Sequence, residues 1–195
     1  MKKLSVFILI ISILLFSGCA QTMEKCDIVA TTLPVYDFTS MLCEGTDLTV
    51  GRLVTESVSC LHDYTLKVDQ MRMIEDSDMI VISGAGLEEF MHDLLHDKDV
   101  IDASVGIKIL ECSEHQDHDH GHDHEGHHHE TDSHIWLSPE NAAAMARNIC
   151  AGLCSRYTDY AETFESNLSA LLAEIEAVQT YGEAALAELS SREII

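Results

Sequence analysis

Basic residues are scarce in this chain: 11 Lys and Arg stand against 34 Asp and Glu, a formal net charge of −23. Neither nucleic acid nor an anionic membrane surface is therefore a fitting electrostatic partner, whereas a cation is compatible. Among seven cysteines no CxxC pair occurs, which argues against a structural zinc ribbon. The apolar run near the N-terminus, Leu4 to Phe16, is shorter than the roughly 20 residues that a membrane-spanning helix needs. Against these shortages, 46% of the 195 residues are hydrophobic, enough for the core of one domain or one and a half.

The first residues, MKKLSVFILIISILLFSGCA, place Lys2 and Lys3 before the apolar run and Ser17, Gly18 and Cys19 after it. That order is a secretory signal whose small residues suit a processing site. It resembles the lipobox of bacterial lipoproteins, with Phe16 where Leu is usual, and the resemblance implies that Cys19 becomes the lipidated first residue. Residues 1–18 are thus read as a signal peptide and 19–26 as anchor and tether, which puts the remainder outside the cytoplasm, held to the cell membrane by lipid. In that compartment Cys26, Cys43, Cys60, Cys112, Cys150 and Cys154 form an even set that permits disulfides without fixing their pairing.

Beyond the tether, short β-rich runs alternate with helical periods. DIVATT (27–32), DLTVGRLV (47–54), SDMIVISGAG (77–86), VIDAS (100–104) and GIKIL (106–110) read as strands. Between them come a helix opened by Pro34 and closed near Gly45, a second with Val68, Met71 and Ile74 at helical spacing, and a third in GLEEFMHDLL. The alternation predicts an α/β fold, a parallel sheet with helices on both faces. Ser138, Pro139 and Glu140 supply a cap, a first-turn proline and a first-turn acid for a helix to about Tyr157. Cys150 and Cys154 fall four apart on it and could equally be two small buried residues. From Asp159 to Leu189 apolar residues recur every three or four positions, a rod of about 45 Å. Such a rod exceeds what one small domain needs. We therefore read 27–157 as an N-terminal lobe, 158–190 as a linking helix, and 191–195 as the start of a second lobe that lies beyond this sequence.

Residues 111–133 break the pattern, with almost nothing apolar to bury, and read as a mobile loop. His115, His118, His120, His122, His124, His127, His128 and His129 sit there among Asp117, Asp119 and Asp123. Imidazole, with an unperturbed pKa of about 6.5, is mostly neutral at pH 7 and can donate a lone pair to a metal. Nitrogen-rich sets favour the later first-row divalent ions, zinc among them. A flexible run fixes no geometry, so its binding should be multiple and modest. Two further histidines stand apart from it: His62 in SVSCLHDYTLKV, after a strand and before a helix, and His134 in SHIWLSPEN, beside a Trp. In an open parallel sheet the first of these positions is the ligand-binding end.

Together, LHDYTLKVDQMRMIEDSDMIVISGAGLEEFM and SHIWLSPENAAAMARNI resemble the zinc-type, ZnuA-like substrate-binding lipoproteins of bacterial metal ABC importers. The resemblance covers nearly everything after the anchor, including the acid–histidine insertion. It implies two (β/α) lobes joined by a long helix, with the ion between them. It also implies that His62 and His134 are metal ligands, that Zn2+ is the cargo, and that an ABC importer permease is the partner. Leu61 stands where some relatives carry a Glu ligand, and the prolines common near that motif are missing. Further ligands would come from the second lobe. The alternatives are a manganese carrier of the same class, a zinc-dependent hydrolase, for which no Glu or His is placed as an obvious base, and a surface metal-storage or adhesion protein. The favoured reading is not an enzyme.

Overall fold

Three residues, Ile28–Ala30, form strand β1, and all three are fully buried, as in a strand covered on both faces. The computed structural model describes residues 25–56, 61, 64–110, 131–187 and 189. Helix α1 (Leu33–Leu42) follows, then β2 (Val50–Arg52), α2 (Val68–Asp76) and β3 (Met79–Ile82). A 3-10 turn (Glu89–Met91) runs into the single turn α3 (His92–Leu95) before β4 (Val100–Asp102). Past the insertion come a 3-10 turn (Ile135–Leu137), α4 (Pro139–Arg156), a further 3-10 turn (Thr158–Tyr160) and α5 (Ala161–Leu186). The four strands pair in parallel in the order β2-β1-β3-β4, with Ile28 opposite both Val50 and Met79, and Ile80 opposite Val100.

Alternation along each strand divides the core in two. Ile28, Ala30, Met79, Val81 and Ile101 face a cluster with Val35 and Leu42 of α1, Met145, Ile149 and Leu153 of α4, and Phe164 of α5. Val29 and Ile80 face the opposite cluster, with Leu53, Ile74 of α2 and Met91. Helices thus cover both faces, as the alternating pattern predicts.

Side-chain amides join the layers where helix ends leave carbonyls unpaired. Asn167 of α5 donates to the carbonyls of Leu42 and Glu44 at 2.9 and 2.8 Å, closing the end of α1, where Gly45 then turns with φ of +82°. Asn148 of α4 donates to Ala103 and Val105, each at 2.9 Å, and so holds the turn after β4. Gly152 lets α4 approach that strand: a Cβ there would stand 2.5 Å from Ile101 Cγ1.

Three local expectations change. The strand expected over 47–54 is paired only at Val50–Arg52. The strand expected over 106–110 is a turn and an extended tail, because the chain reverses at Gly106 (φ +77°) with Ile107 N–H bonded to Ser104 C=O. The helix expected in GLEEFMHDLL shrinks because Gly84, Ala85 and Gly86 are all left-handed and Glu88 turns its side chain inward. By contrast α4 starts as read, with Ser138 Oγ accepting from Asn141 N–H at 3.4 Å.

Replacing Asn167 by Ala strands two carbonyls at the α1 terminus and should lower stability by about 1–2 kcal/mol. Glu174→Ala, on an exposed turn of the same helix, should change it by less than about 0.5 kcal/mol. Urea unfolding followed by circular dichroism separates the two; equal effects would mean that the amide does not join α5 to α1.

Candidate metal centre

The strand order reverses direction on either side of β1, so the chains leaving β1 and β3 go to opposite faces and open a crevice at the carboxyl ends of the strands. Glu88 lies beneath that crevice, 4% exposed. Its Oε1 accepts from Thr31 Oγ1 at 2.6 Å and Ser83 N–H at 2.7 Å, and its Oε2 from Gly84 N–H at 3.0 Å. Burial pushes its carboxyl above the ordinary range, against the pull of these donors. One side chain thereby ties the end of β1 to the end of β3.

A cavity of about 370 Å³ is lined by Thr32, Pro34, Arg52, Glu56, Leu61 and Trp136 among others. Both histidine motifs thus reach one cavity through a neighbour, Leu61 next to position 62 and Trp136 two residues from His134. His62 itself lies outside the described residues, as do Cys19 and every histidine from His115 to His129.

His134 is described, and its surroundings fix its chemistry. The cap at Ser138 and the turn Ile135–Leu137, closed by Leu137 N–H to His134 C=O at 3.2 Å, set its backbone just before α4. Asp132 Oδ1 accepts from His134 N–H at 2.9 Å and from the ring Nδ1 at 2.8 Å. These two contacts, the backbone one first, hold the Asp132 carboxyl below its usual range. A carboxylate can only accept, so Nδ1 carries the proton and the Nε2 lone pair is left for a metal. The ring packs against Trp136 at 5.3 Å between centroids, and 60% of the side chain remains exposed. Asp132 was missed in the sequence, although its spacing of two from His134 was a usable signal.

A second polar chain brackets the His62 segment. Gln70, 5% exposed, accepts from Lys67 N–H at 2.9 Å and donates to Leu53 C=O and Tyr64 Oη, both at 2.7 Å. Lys67 bonds Glu56, and Tyr64 donates to it at 2.9 Å, so the carboxyl of Glu56 lies well below the usual range. Tyr64 N–H bonds Leu61 C=O at 3.0 Å. The chain on either side of position 62 is therefore tied to the end of β2 and the start of α2.

Among the described residues no three His, Cys, Asp or Glu side chains converge to hold an ion. The insertion meets the site through its ends: Asp132 N–H bonds Leu110 C=O at 2.9 Å. Its His124-Glu125-Gly126-His127-His128 spells HExxH, which corrects the expectation, held against the hydrolase alternative, that no HExxH occurs. In zinc peptidases that motif works from one face of a docked helix, and this run has no apolar stripe to dock one.

Residues 28–195 match the family model described as zinc-uptake complex component A, periplasmic. The chain is 30% identical over 192 residues to the zinc-binding lipoprotein AdcA of Streptococcus pneumoniae serotype 4, covering 94% of this chain and 38% of that protein. It is 31% identical over 160 residues to the high-affinity zinc uptake system protein ZnuA of Bacillus subtilis, covering 78% of this chain and 49% of the relative. The crystal structure of Zn(II)-bound AdcA from Streptococcus pneumoniae superposes with a TM-score of 0.70 at 27% identity, over 87% of this chain and 34% of that one. The chain thus spans less than half the length of these relatives. With its parallel sheet and the extent of that match, the chain belongs to the zinc-uptake component A family.

Proposed function

We propose that this chain is the metal-binding N-terminal lobe of an extracytoplasmic, lipid-anchored zinc carrier that hands Zn2+ to an ABC importer. The observation that carries the reading is the Asp132–His134 pair, which presents Nε2 at the rim of a parallel sheet. His62 is the second ligand, in a segment tied at both ends by Gln70 and Tyr64. Two neutral imidazoles favour zinc over manganese, which prefers oxygen donors. They fill two of the four positions of a tetrahedral ion. A second lobe completes the site and packs on the distal part of α5, where Val178, Tyr181 and Leu186 are 64%, 76% and 53% exposed. Incomplete coordination by either lobe alone keeps the cargo releasable. Residues 111–133 act as a loose collector, and Cys19 carries the lipid.

On the chain as it stands, zinc titration read by imidazole nitrogen NMR should shift Nε2 of His134 and leave Nδ1 protonated. A shift at Nδ1, or none at either nitrogen, rejects the ligand assignment. His62→Ala should abolish the His134 response, whereas deleting 112–130, which keeps Asp132 beside His134, should remove weak equivalents only. Asp132→Asn should weaken zinc binding about 10- to 100-fold; an unchanged affinity would leave the tautomer lock without a role. Tyr64→Phe should weaken binding in the same direction while His134 keeps its proton on Nδ1.

A further inference from the structure

At the far end of α4 lies a pair of sulfurs that the zinc reading does not use. Cys150 and Cys154 are one helical turn apart, with Sγ atoms 3.9 Å from each other. Cys150 is 3% exposed, and Cys154 is half-buried, so the pair is reached from solvent on one side only. Cys154 Sγ also lies 3.9 Å from the carbonyl oxygen of Ala161, the first residue of α5. From the cap at Ser138 the pair is about 20 Å along the helix axis, at the amino ends of the strands, opposite the candidate centre.

Two chemistries are open to such a pair outside the cytoplasm, and geometry separates them. A disulfide needs Cβ atoms about 3.8 Å apart, whereas neighbours four apart on a helix stand about 5–6 Å apart. Closing the bond would distort the last turns of α4. A bridging ion needs no such movement: at a metal–sulfur distance of about 2.3 Å, two vertices of a tetrahedron lie roughly 3.8 Å apart. The sulfurs already stand at that separation. The Ala161 oxygen stands at nearly the same distance from Cys154, a third donor available on one edge.

We propose that Cys150 and Cys154 form a second metal site, separate from His62 and His134, that takes a thiophilic divalent cation of the zinc and cadmium class. Each thiol loses its proton to solvent as its sulfur–metal bond forms, and two waters leave the ion; no electron is transferred. Two thiolates neutralise a divalent charge, which suits a half-buried site better than a monovalent ion with charge left over. Burial, then Cys154, then Glu165 push the Cys150 thiol up to about 12, so without metal Cys150 is protonated, and the ion itself must drive its ionisation.

The test uses the full chain, kept reduced with a phosphine, and follows alkylation of each cysteine by peptide mass spectrometry. Cadmium, in excess of the histidine run, should slow labelling of Cys154 at least tenfold, with recovery on chelation. The same protection should persist in a His62→Ala/His134→Ala chain; its loss there would mean that general stabilisation by the other centre causes it, and the proposal fails. Cys150→Ala should restore rapid labelling of Cys154 in the presence of cadmium, and Cys154→Ala should remove one bound equivalent. Unchanged labelling of Cys154 with and without cadmium overturns it.

Discussion

The contact between Glu88 and the ends of β1 and β3 governs how the rim of this lobe is built. Parallel strands that neighbour in space but part in sequence leave their outgoing loops free to splay, since nothing in the ladder continues past the last paired residue. Here a carboxylate from the loop after β3 takes the Thr31 hydroxyl and two amides of its own loop at once. Such a group is costly to bury unless every lone pair it directs inward is met. Its three donors offset part of that cost, and burial still holds the carboxyl above its ordinary range. The ends of β1 and β3 are thereby held together, and Thr32, the residue after Thr31, lines one cavity with Arg52 and Trp136.

The candidate ligand rests on a different kind of order. His134 owes its backbone to the start of α4, a turn and a cap that any reader of Ser-Pro-Glu can foresee, but owes its proton to Asp132. The first is a matter of helix geometry and the second of electrostatics. Neither alone makes a ligand: a well-placed ring with the wrong tautomer presents an N–H to the ion instead of a lone pair.

Much of the fold was legible because it is written in continuous apolar runs. IVA and MIVI could be buried on both faces only in a parallel sheet, and the helical periods of α2, α4 and α5 fell where read. GIKIL was not legible, since a strand needs a neighbour as well as propensity, and Gly106 turns the chain away from the edge of β4. Glu88 and Gln70 were invisible for a related reason. Their partners are backbone groups and hydroxyls up to 57 positions away, and no local period encodes them. Asp132 was hidden in plain view among many acids. The sulfur pair was seen but left open between disulfide partners and two small buried residues, because spacing on a helix does not say whether two thiols face a void or each other.

The bond between Leu110 and Asp132 has a consequence for how this protein can change over generations. The core receives the two chain ends already joined at this bond, and the closure entropy of a loop so joined grows by only about 0.6 kcal/mol for each doubling of its length. Under the proposed function, a loop closed in this way can vary in length and composition while the pair at 132 and 134 stays where the start of α4 puts it.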